Sequence, residues 1–431
     1  MLLRFRVENH RSLRDEQELS LIASSLKDLP ENAASVEGIQ EEVLRAAVIY
    51  GPNASGKTNL CDAVNYLTSA VLESQRAWKP DGGVRRFPFI LDPDFAEKPS
   101  LYEVDLLLDG VRYQYGFTAD SSKILEEWLY AFPNRKRQTW FTRDTSQDRP
   151  IRPGKALAGT KGIEAFTRDN SLFLSAAAQS NHRMLKPIYD WFAQVHVVGS
   201  QIQRGSEDVT TAMLSEHAER IEAMLRAADL GIVGMEWKES VPETRPESSY
   251  ASSLSLVRER GLLSKSAAPH ISDLQRVVTF AHQSGSRGYE VALPLQEESS
   301  GTRAWFALLG PLLKTLESGG LLLVDELDTS LHTTLALEVI RLFNDGARNP
   351  RNAQLVFNAH DTNLLSDGVL RRDQIWFTEK DEEGGTHLYP LTDFKPRQHE
   401  NLERGYLQGR YGAVPFIGPI ALLNERGTRH E

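Results

Sequence analysis

The stretch "AAVIYGPNASGKTNL", residues 46–60, decides how the rest of the chain is read. Its apolar, partly β-branched start (Ala47, Val48, Ile49, Tyr50) predicts a buried strand, and Gly51 opens a turn into a predicted helix over 59–78. Gly51 to Thr58 fit the pattern GxxxxGK[ST] of a phosphate-binding loop. Gly51 and Gly56 lack a Cβ, so backbone N–H groups can curl around phosphate oxygens, and the following helix points its positive N-terminus at them. Lys57 is expected on the β and γ phosphates and the Thr58 hydroxyl on Mg²⁺, with Asn53, Ser55 and Asn59 completing the nucleotide-facing set.

The bulk composition narrows the class. At 431 residues the chain predicts two or three modules, or one domain carrying large insertions. It is 40% hydrophobic and 25% charged, and no apolar run of about 18 residues is present to span a bilayer. The start "MLLRFRVENHRSL" alternates like a strand and lacks the apolar stretch of a signal peptide, so a cytoplasmic location is expected. One cysteine, Cys61, allows neither a disulfide framework nor a cysteine zinc site, and reads as a buried small hydrophobe. The net charge of −10 argues against a surface dominated by nucleic acid and confines any such contact to a local patch.

Residues 1–83 read as the first half of an α/β nucleotide-binding core. A β-rich subdomain is expected over 84–160, with a hairpin at Asp109-Gly110. Within it, "PNRKRQTWFTRDTSQDRPIRPGK" sets seven Lys or Arg against two Asp around Trp140 and Phe141. Arg135, Lys136 and Arg137 could hold a single strand, although a solvated hairpin tip accounts for them better. A helical insertion is expected over 161–238, including the strand-like "VHVVG", and a mobile linker with a return strand over 239–287. The core resumes over 288–431.

Four further motifs carry chemistry. "LLLVDELD", residues 321–328, is an apolar strand ending in two carboxylates, with Asp325 suited to hold Mg²⁺ through its water and Glu326 to polarise an attacking water. "ESSGTRAWFALL", residues 298–309, is a small hydroxyl-bearing turn entering a helix, another N-terminal anion site. "DTSLH", residues 328–332, follows the carboxylates, and "QLVFNAHDTNLL", residues 354–365, is a strand ending in His360, placed to sense a γ-phosphate. No NKxD base-reading motif is present, which disfavours GTP, and no separate acceptor site points to a small-molecule kinase.

The order phosphate loop, Ser-Gly turn, Asp-Glu strand, Asp loop and terminal His resembles an ABC-type ATPase of the SMC and RecF-like branch. More narrowly, "ESSGTRAWFALLGPLL", "DELDTSLH", "RRDQIWFTEK" and "ERGYLQGRYGAVPFI" resemble the bacterial AAA family ATPases encoded beside restriction and abortive-infection genes, relatives of the overcoming-lysogenization-defect ATPases. The resemblance implies an α/β fold: an ABC-type P-loop ATPase core with a β-subdomain and a helical insertion between Walker A and signature. Ser299 and Gly301 match the Ser and second Gly of the LSGGQ signature, whereas Ser300 and Thr302 depart from it. Gln179 is the candidate for the Gln loop, with a plain helix-surface Gln as the alternative, and Asp328 falls in the Asp loop. Asn9 and Arg11 fall where the first strand turns near the nucleotide, where a surface turn is an equal reading. The tail "YLQGRYGAVPFI" is too rich in Gly, Tyr and Pro for a helix and reads as a packed tail.

Two departures bear on function. About 240 positions separate Thr58 from Glu298 without sustained heptads, so the long coiled coil of SMC proteins is not expected. After His360 there is no clustered Glu and Asp-x-Asp set, so a Toprim nuclease domain is not expected either. The resemblance implies two ATP molecules with Mg²⁺ sandwiched in a homodimer, able to assemble further, with the signature loop of each chain capping the other's nucleotide. It implies an anti-phage switch or sensor acting on a separately encoded effector. The alternatives are a RecF-like DNA-repair clamp and an ATP-binding scaffold that holds a toxin inactive.

Overall fold

The computed structural model describes residues 1–199, 203–240, 275–284, 289–329, 331–365, 368–398 and 400–415. Most of the linker expected over 239–287 lies outside the described residues, as do Phe416 and Ile417 of the tail.

The strand Ala46–Tyr50 sits inside a six-stranded sheet. Its parallel neighbours are Gln354–Asn358 and Ile375–Lys380. Beyond the first lie Leu321–Val324 and then Val195–Val198, both parallel, and beyond the second Thr386–Pro390, antiparallel. Side chains of one strand feed two cores. Ala47, Ile49, Leu321, Leu323 and Val356 join one core with Leu60, Val64 and Leu67 of the helix Lys57–Glu73. Ala46, Val48, Tyr50, Leu322 and Phe357 join the other, under the helices Ser300–Ser318 and Thr333–Asn344. A sheet covered on both faces needs apolar residues at every position, which is why these strands read as unbroken apolar runs.

A second sheet has seven antiparallel strands in the order Ile151–Pro153, Gln138–Asp144, Ile124–Phe132, Val111–Ala119, Ser100–Leu108, Leu2–Glu8, Gln17–Ser20. The expected hairpin is present, with Asp109 at φ 47° and Gly110 at φ 72°, the left-handed pair that a two-residue hairpin turn requires. The β-rich segment 84–160 is not a sheet of its own. Leu2–Glu8 pairs with Ser100–Leu108 on one side and Gln17–Ser20 on the other, because the N-terminal strand offers its second edge to the hairpin. Likewise Val195–Val198, inside the expected helical insertion 161–238, is a strand of the core sheet beside Leu321–Val324. At its inner face the seven-stranded sheet holds the buried pair Glu127 and Arg143. The Glu127 carboxylate accepts from Phe173 and Leu174 N–H at 2.7 and 3.0 Å, while Arg143 donates to Ser171, Arg168 and Asp169 carbonyls.

The helix Gln203–Ala227 lies along Ser300–Ser318, which contains Pro311. Proline has no N–H for the Ala307 carbonyl, which the Thr210 hydroxyl reaches at 3.3 Å; the same hydroxyl sits between the neighbouring ladder partners, donating to the Phe306 carbonyl at 2.7 Å and accepting from Gly310 N–H at 2.9 Å. A Cβ on Gly310 would lie 2.5 Å from the Thr210 Cα, so only glycine allows this approach. A three-stranded sheet of Ile232–Ser240, Gln275–Ser284 and Tyr289–Pro294 adjoins this helix pair. No helix among the described residues is long and apolar enough to cross a membrane.

Candidate nucleotide site

The chain leaves the central strand at Tyr50 and enters the helix at Lys57, with Ala54 and Gly56 in the left-handed region at φ 63° and 108°. Among the described residues no side chain caps this helix, which leaves the Lys57 and Thr58 N–H groups at its start for an anion, while Asn59 N–H donates to the Gly56 carbonyl. Lys57 is buried, and its ammonium donates to the Gly51 and Pro52 carbonyls at 2.6 and 3.1 Å. Burial holds its pKa below the ordinary value, against the opposing charges of Glu326, Asp325 and Asp328.

The loop is held from behind by hydroxyls from distant parts of the chain. Thr386 donates to the Ser55 carbonyl at 2.8 Å and meets the Ser12 hydroxyl at 2.7 Å, and Asn59 donates to Ser12 at 2.6 Å. Thr378 lies 2.6 Å from the Ser55 hydroxyl and donates to the Tyr50 carbonyl. These contacts leave no room beside the glycines: a Cβ on Gly56 would be 2.2 Å from the Thr386 hydroxyl, and one on Gly51 2.5 Å from that of Thr378. Asn53 is exposed at the loop tip.

The parallel register brings the acidic strand end to the same edge. The Thr58 hydroxyl donates to Asp325 Oδ1 at 3.0 Å across 267 positions of sequence. Asn358, fully buried at the end of the intervening strand, donates from Nδ2 to the same oxygen and accepts the Glu326 N–H at Oδ1. Glu326 is left-handed at φ 61° and accepts from the Thr329 hydroxyl at 3.2 Å. Asp328 Oδ2 accepts from the His360 and Asp361 N–H groups at 2.7 and 2.6 Å, which ties the Asp loop to the exposed His360. Asp328 Oδ1 is buried without a partner among the described residues. A hydroxyl beside a carboxylate at a phosphate loop is an all-oxygen donor set that suits Mg²⁺.

Other expected residues fall elsewhere. Ser299 caps the helix Ser300–Ser318 by accepting from Thr302 N–H at 3.1 Å, and Gly301 lies in that helix's first turn. Gln179 is not brought to the site. Among the described residues its amide reaches only the Tyr189 hydroxyl, 3.4 Å away, which itself donates to the Leu72 carbonyl. Leu72 is near the far end of the helix begun by Lys57, about 22 Å along its axis. The cause is the Glu127 and Arg143 clamp, which ties the start of the helix Phe173–Gln179 to the antiparallel sheet. Asn9 is also turned away: it is buried, donates to the Phe95 and Lys98 carbonyls and accepts from Phe89 N–H, each at 2.8 Å. Arg11 pairs with Asp62 and lines a cleft of about 440 Å³ with Ser12, Phe87, Phe89 and Lys380. Arg135, Lys136 and Arg137 form an exposed hairpin tip, with the Arg137 guanidinium 3.8 Å from the centre of the Tyr130 ring.

Cys61 is buried. The tail packs on the core, with Phe377 stacked on Tyr406 and Tyr411 at 5.5 and 5.9 Å. Tyr406 and Leu407 nevertheless complete a short helix, Leu402–Leu407, since the Asn401 side chain caps it and the first tail glycine comes only at Gly409. Sequence reading missed Asn358 and the hydroxyls of Ser12, Thr378 and Thr386. The one available signal was a polar Asn inside an otherwise apolar strand.

This arrangement is a P-loop nucleotide-binding core of α/β class, with loop, acidic strand and terminal His at one sheet edge. Residues 46–192 and 198–366 match the family described as "AAA domain, putative AbiEii toxin, Type IV TA system", and the chain belongs to that family. Among solved structures it is similar to the SMC head domain from Thermotoga maritima at 13% identity and TM-score 0.40, covering 90% of this chain and 98% of that one. It is similar also to the SmcHead bound to the C-winged helix domain of ScpA, at 12% identity and TM-score 0.39, covering 90% and 96%. A third is the Smc head domain with an extended coiled coil bound to the C-terminal domain of ScpA, derived from Pyrococcus furiosus, at 9% identity and TM-score 0.38, covering 91% and 97%. No curated protein matches the chain.

Proposed function

We propose that the protein binds and hydrolyses ATP and works as a switch. One observation carries this reading: the Thr58 hydroxyl of the loop donates to Asp325 at one sheet edge, where the charges of Glu326 and Asp325 also act on the Lys57 ammonium. Lys57 exchanges its two loop carbonyls for phosphate oxygens, a charge-assisted contact of the kind that binds ATP tightly. Thr58 and Asp325 would hold Mg²⁺, which when bound supplies charge neutralisation between the β and γ phosphates. Glu326 takes the proton of the attacking water, and His360, tied to Asp328, contacts the γ-phosphate. The cleft beside Arg11 and Phe87 has room for the base.

Among the described residues, Ser299 and Gly301 make no hydrogen bond with the phosphate loop of their own chain, which supports their acting on a second copy. Two chains then sandwich two ATP molecules, and hydrolysis removes the γ-phosphate that holds them together. In this reading the protein is the cytoplasmic ATPase of an anti-phage system and passes its state to a separate effector; its family description supports a toxin–antitoxin setting.

The deciding experiment is the solution mass of Glu326→Gln with Mg²⁺, with and without ATP. Doubling with ATP alone supports the sandwich, and an unchanged mass refutes it. The exposed Arg135, Lys136 and Arg137 favour a second reading, a DNA clamp. It predicts salt-sensitive DNA binding that is lost when the three are replaced by serine.

A further inference from the structure

We propose that Asn358 is a positioning residue that sets both carboxylates of the hydrolytic site from one planar amide. The inference rests on the ATPase reading and adds to it a residue from the strand between phosphate loop and acidic strand.

The amide has a donor side and an acceptor side, and the structure uses each for a different task. The Glu326 N–H can only donate, so Oδ1 must face it, and Nδ2 then faces Asp325 Oδ1. Glu326 stands at φ 61°, a left-handed backbone state that residues other than glycine rarely adopt. Its N–H points at the buried end of a parallel sheet, where an unmet donor is destabilising. The Asn358 acceptor meets that donor and makes the left-handed state the favoured one. The Asn358 carbonyl takes the next N–H, from Leu327, at 3.2 Å, so two successive N–H groups of the Asp-Glu-Leu turn rest on one residue, while the Asp325 N–H donates to the Val198 carbonyl at 2.7 Å.

The donor side has its own consequence. Asp325 Oδ1 accepts from both Thr58 and Asn358, which turns the carboxylate so that Oδ1 is held between loop and strand. Asn358 is fully buried and cannot exchange this partner for water. Aspartate at this position would set a carboxylate against Asp325, and leucine would fill the space with neither donor nor acceptor.

The test uses the full chain and its Asn358→Leu, Asn358→Asp and Glu326→Gln variants, measuring ATP hydrolysis with Mg²⁺, ATP affinity, melting midpoint and the pH profile from 6 to 8.5. For Asn358→Leu the expected result is a fall in kcat of about 10²-fold with ATP affinity changed by less than about threefold, the size of effect that a misplacement near 1 Å produces. Asn358→Asp keeps the acceptor and regains a donor only when protonated, so its activity relative to wild type should rise as pH falls. A purely structural residue would lower the melting midpoint and leave kcat and the pH ratio alone, and that result overturns the proposal. If Asn358→Leu does not fold, the Asn358→Asp profile decides: a ratio independent of pH overturns it. Wild type no faster than Glu326→Gln would instead overturn the ATPase reading, whatever Asn358 does.

Discussion

Replacing Thr386 by valine separates a supporting role from a ligand-binding one, because Thr386 lies 331 positions from Ser55 yet donates to its carbonyl at 2.8 Å. The side chain is almost fully buried, so water cannot take over. Losing the donor leaves a buried carbonyl unmet, about 1–3 kcal/mol. The methyl that replaces the hydroxyl faces the Ser12 oxygen, now 2.7 Å away, and the glycine Gly56, and crowding of this kind costs a similar amount. The total is about 3 kcal/mol, which at about 2 °C per kcal/mol for a large chain lowers the melting midpoint by about 6 °C. If about 1.4 kcal/mol of this acts on the loop itself, the apparent Kd for ATP rises up to tenfold. Differential scanning fluorimetry with an ATP titration reads both effects, and Thr386→Ser, which keeps the hydroxyl, serves as the comparison. Equal midpoints and equal ATP affinities in Thr386→Val and Thr386→Ser would refute the idea that these hydroxyls hold the loop.

Two further outcomes follow from buried groups. Burial, opposed mainly by Arg143, raises the Glu127 carboxyl above its ordinary 4.5, so its contribution is fully present below that pH and is lost as pH rises through the folded value. The urea midpoint of wild type minus that of Glu127→Gln should therefore shrink from pH 4 towards neutrality, and a constant difference would contradict it. Burial also pushes the Cys61 thiol well above its ordinary 9.0, so a thiol reagent should leave the native chain unmodified at pH 8 and label it once urea unfolds it. Labelling at the same rate in both states would show that the helix carrying Cys61 is open.

What could be read from sequence was what a short segment determines by itself. The loop from Gly51 to Thr58 and the apolar strands Ala46–Tyr50 and Leu321–Val324 each carry their signal within about ten residues. The hairpin at Asp109-Gly110 is of the same kind. Gln179 was not readable, because its position depends on Glu127 and Arg143 in another sheet holding the backbone ahead of it. Val195–Val198 looked like a minor strand among helices, and nothing local says that its partner is Leu321–Val324. Asn358 and Thr386 act through single side chains across more than thirty and three hundred positions, distances over which composition and periodicity say nothing.

The order of strands in the core sheet also sets when the site can exist. The seven-stranded sheet is complete once Pro153 has been made, but Ala46–Tyr50 must wait for Gln354–Asn358 and Ile375–Lys380 before it has a neighbour on either side. At about 5–20 residues per second that interval is roughly 15–65 s on the ribosome. Throughout it the nascent chain carries an apolar strand and a phosphate loop with neither the neighbouring strands nor the Thr378 and Thr386 hydroxyls that hold them in the finished protein. The unpaired apolar strand is exposed to aggregation during that time, and a chain cut short before the last core strands has no assembled phosphate-loop site.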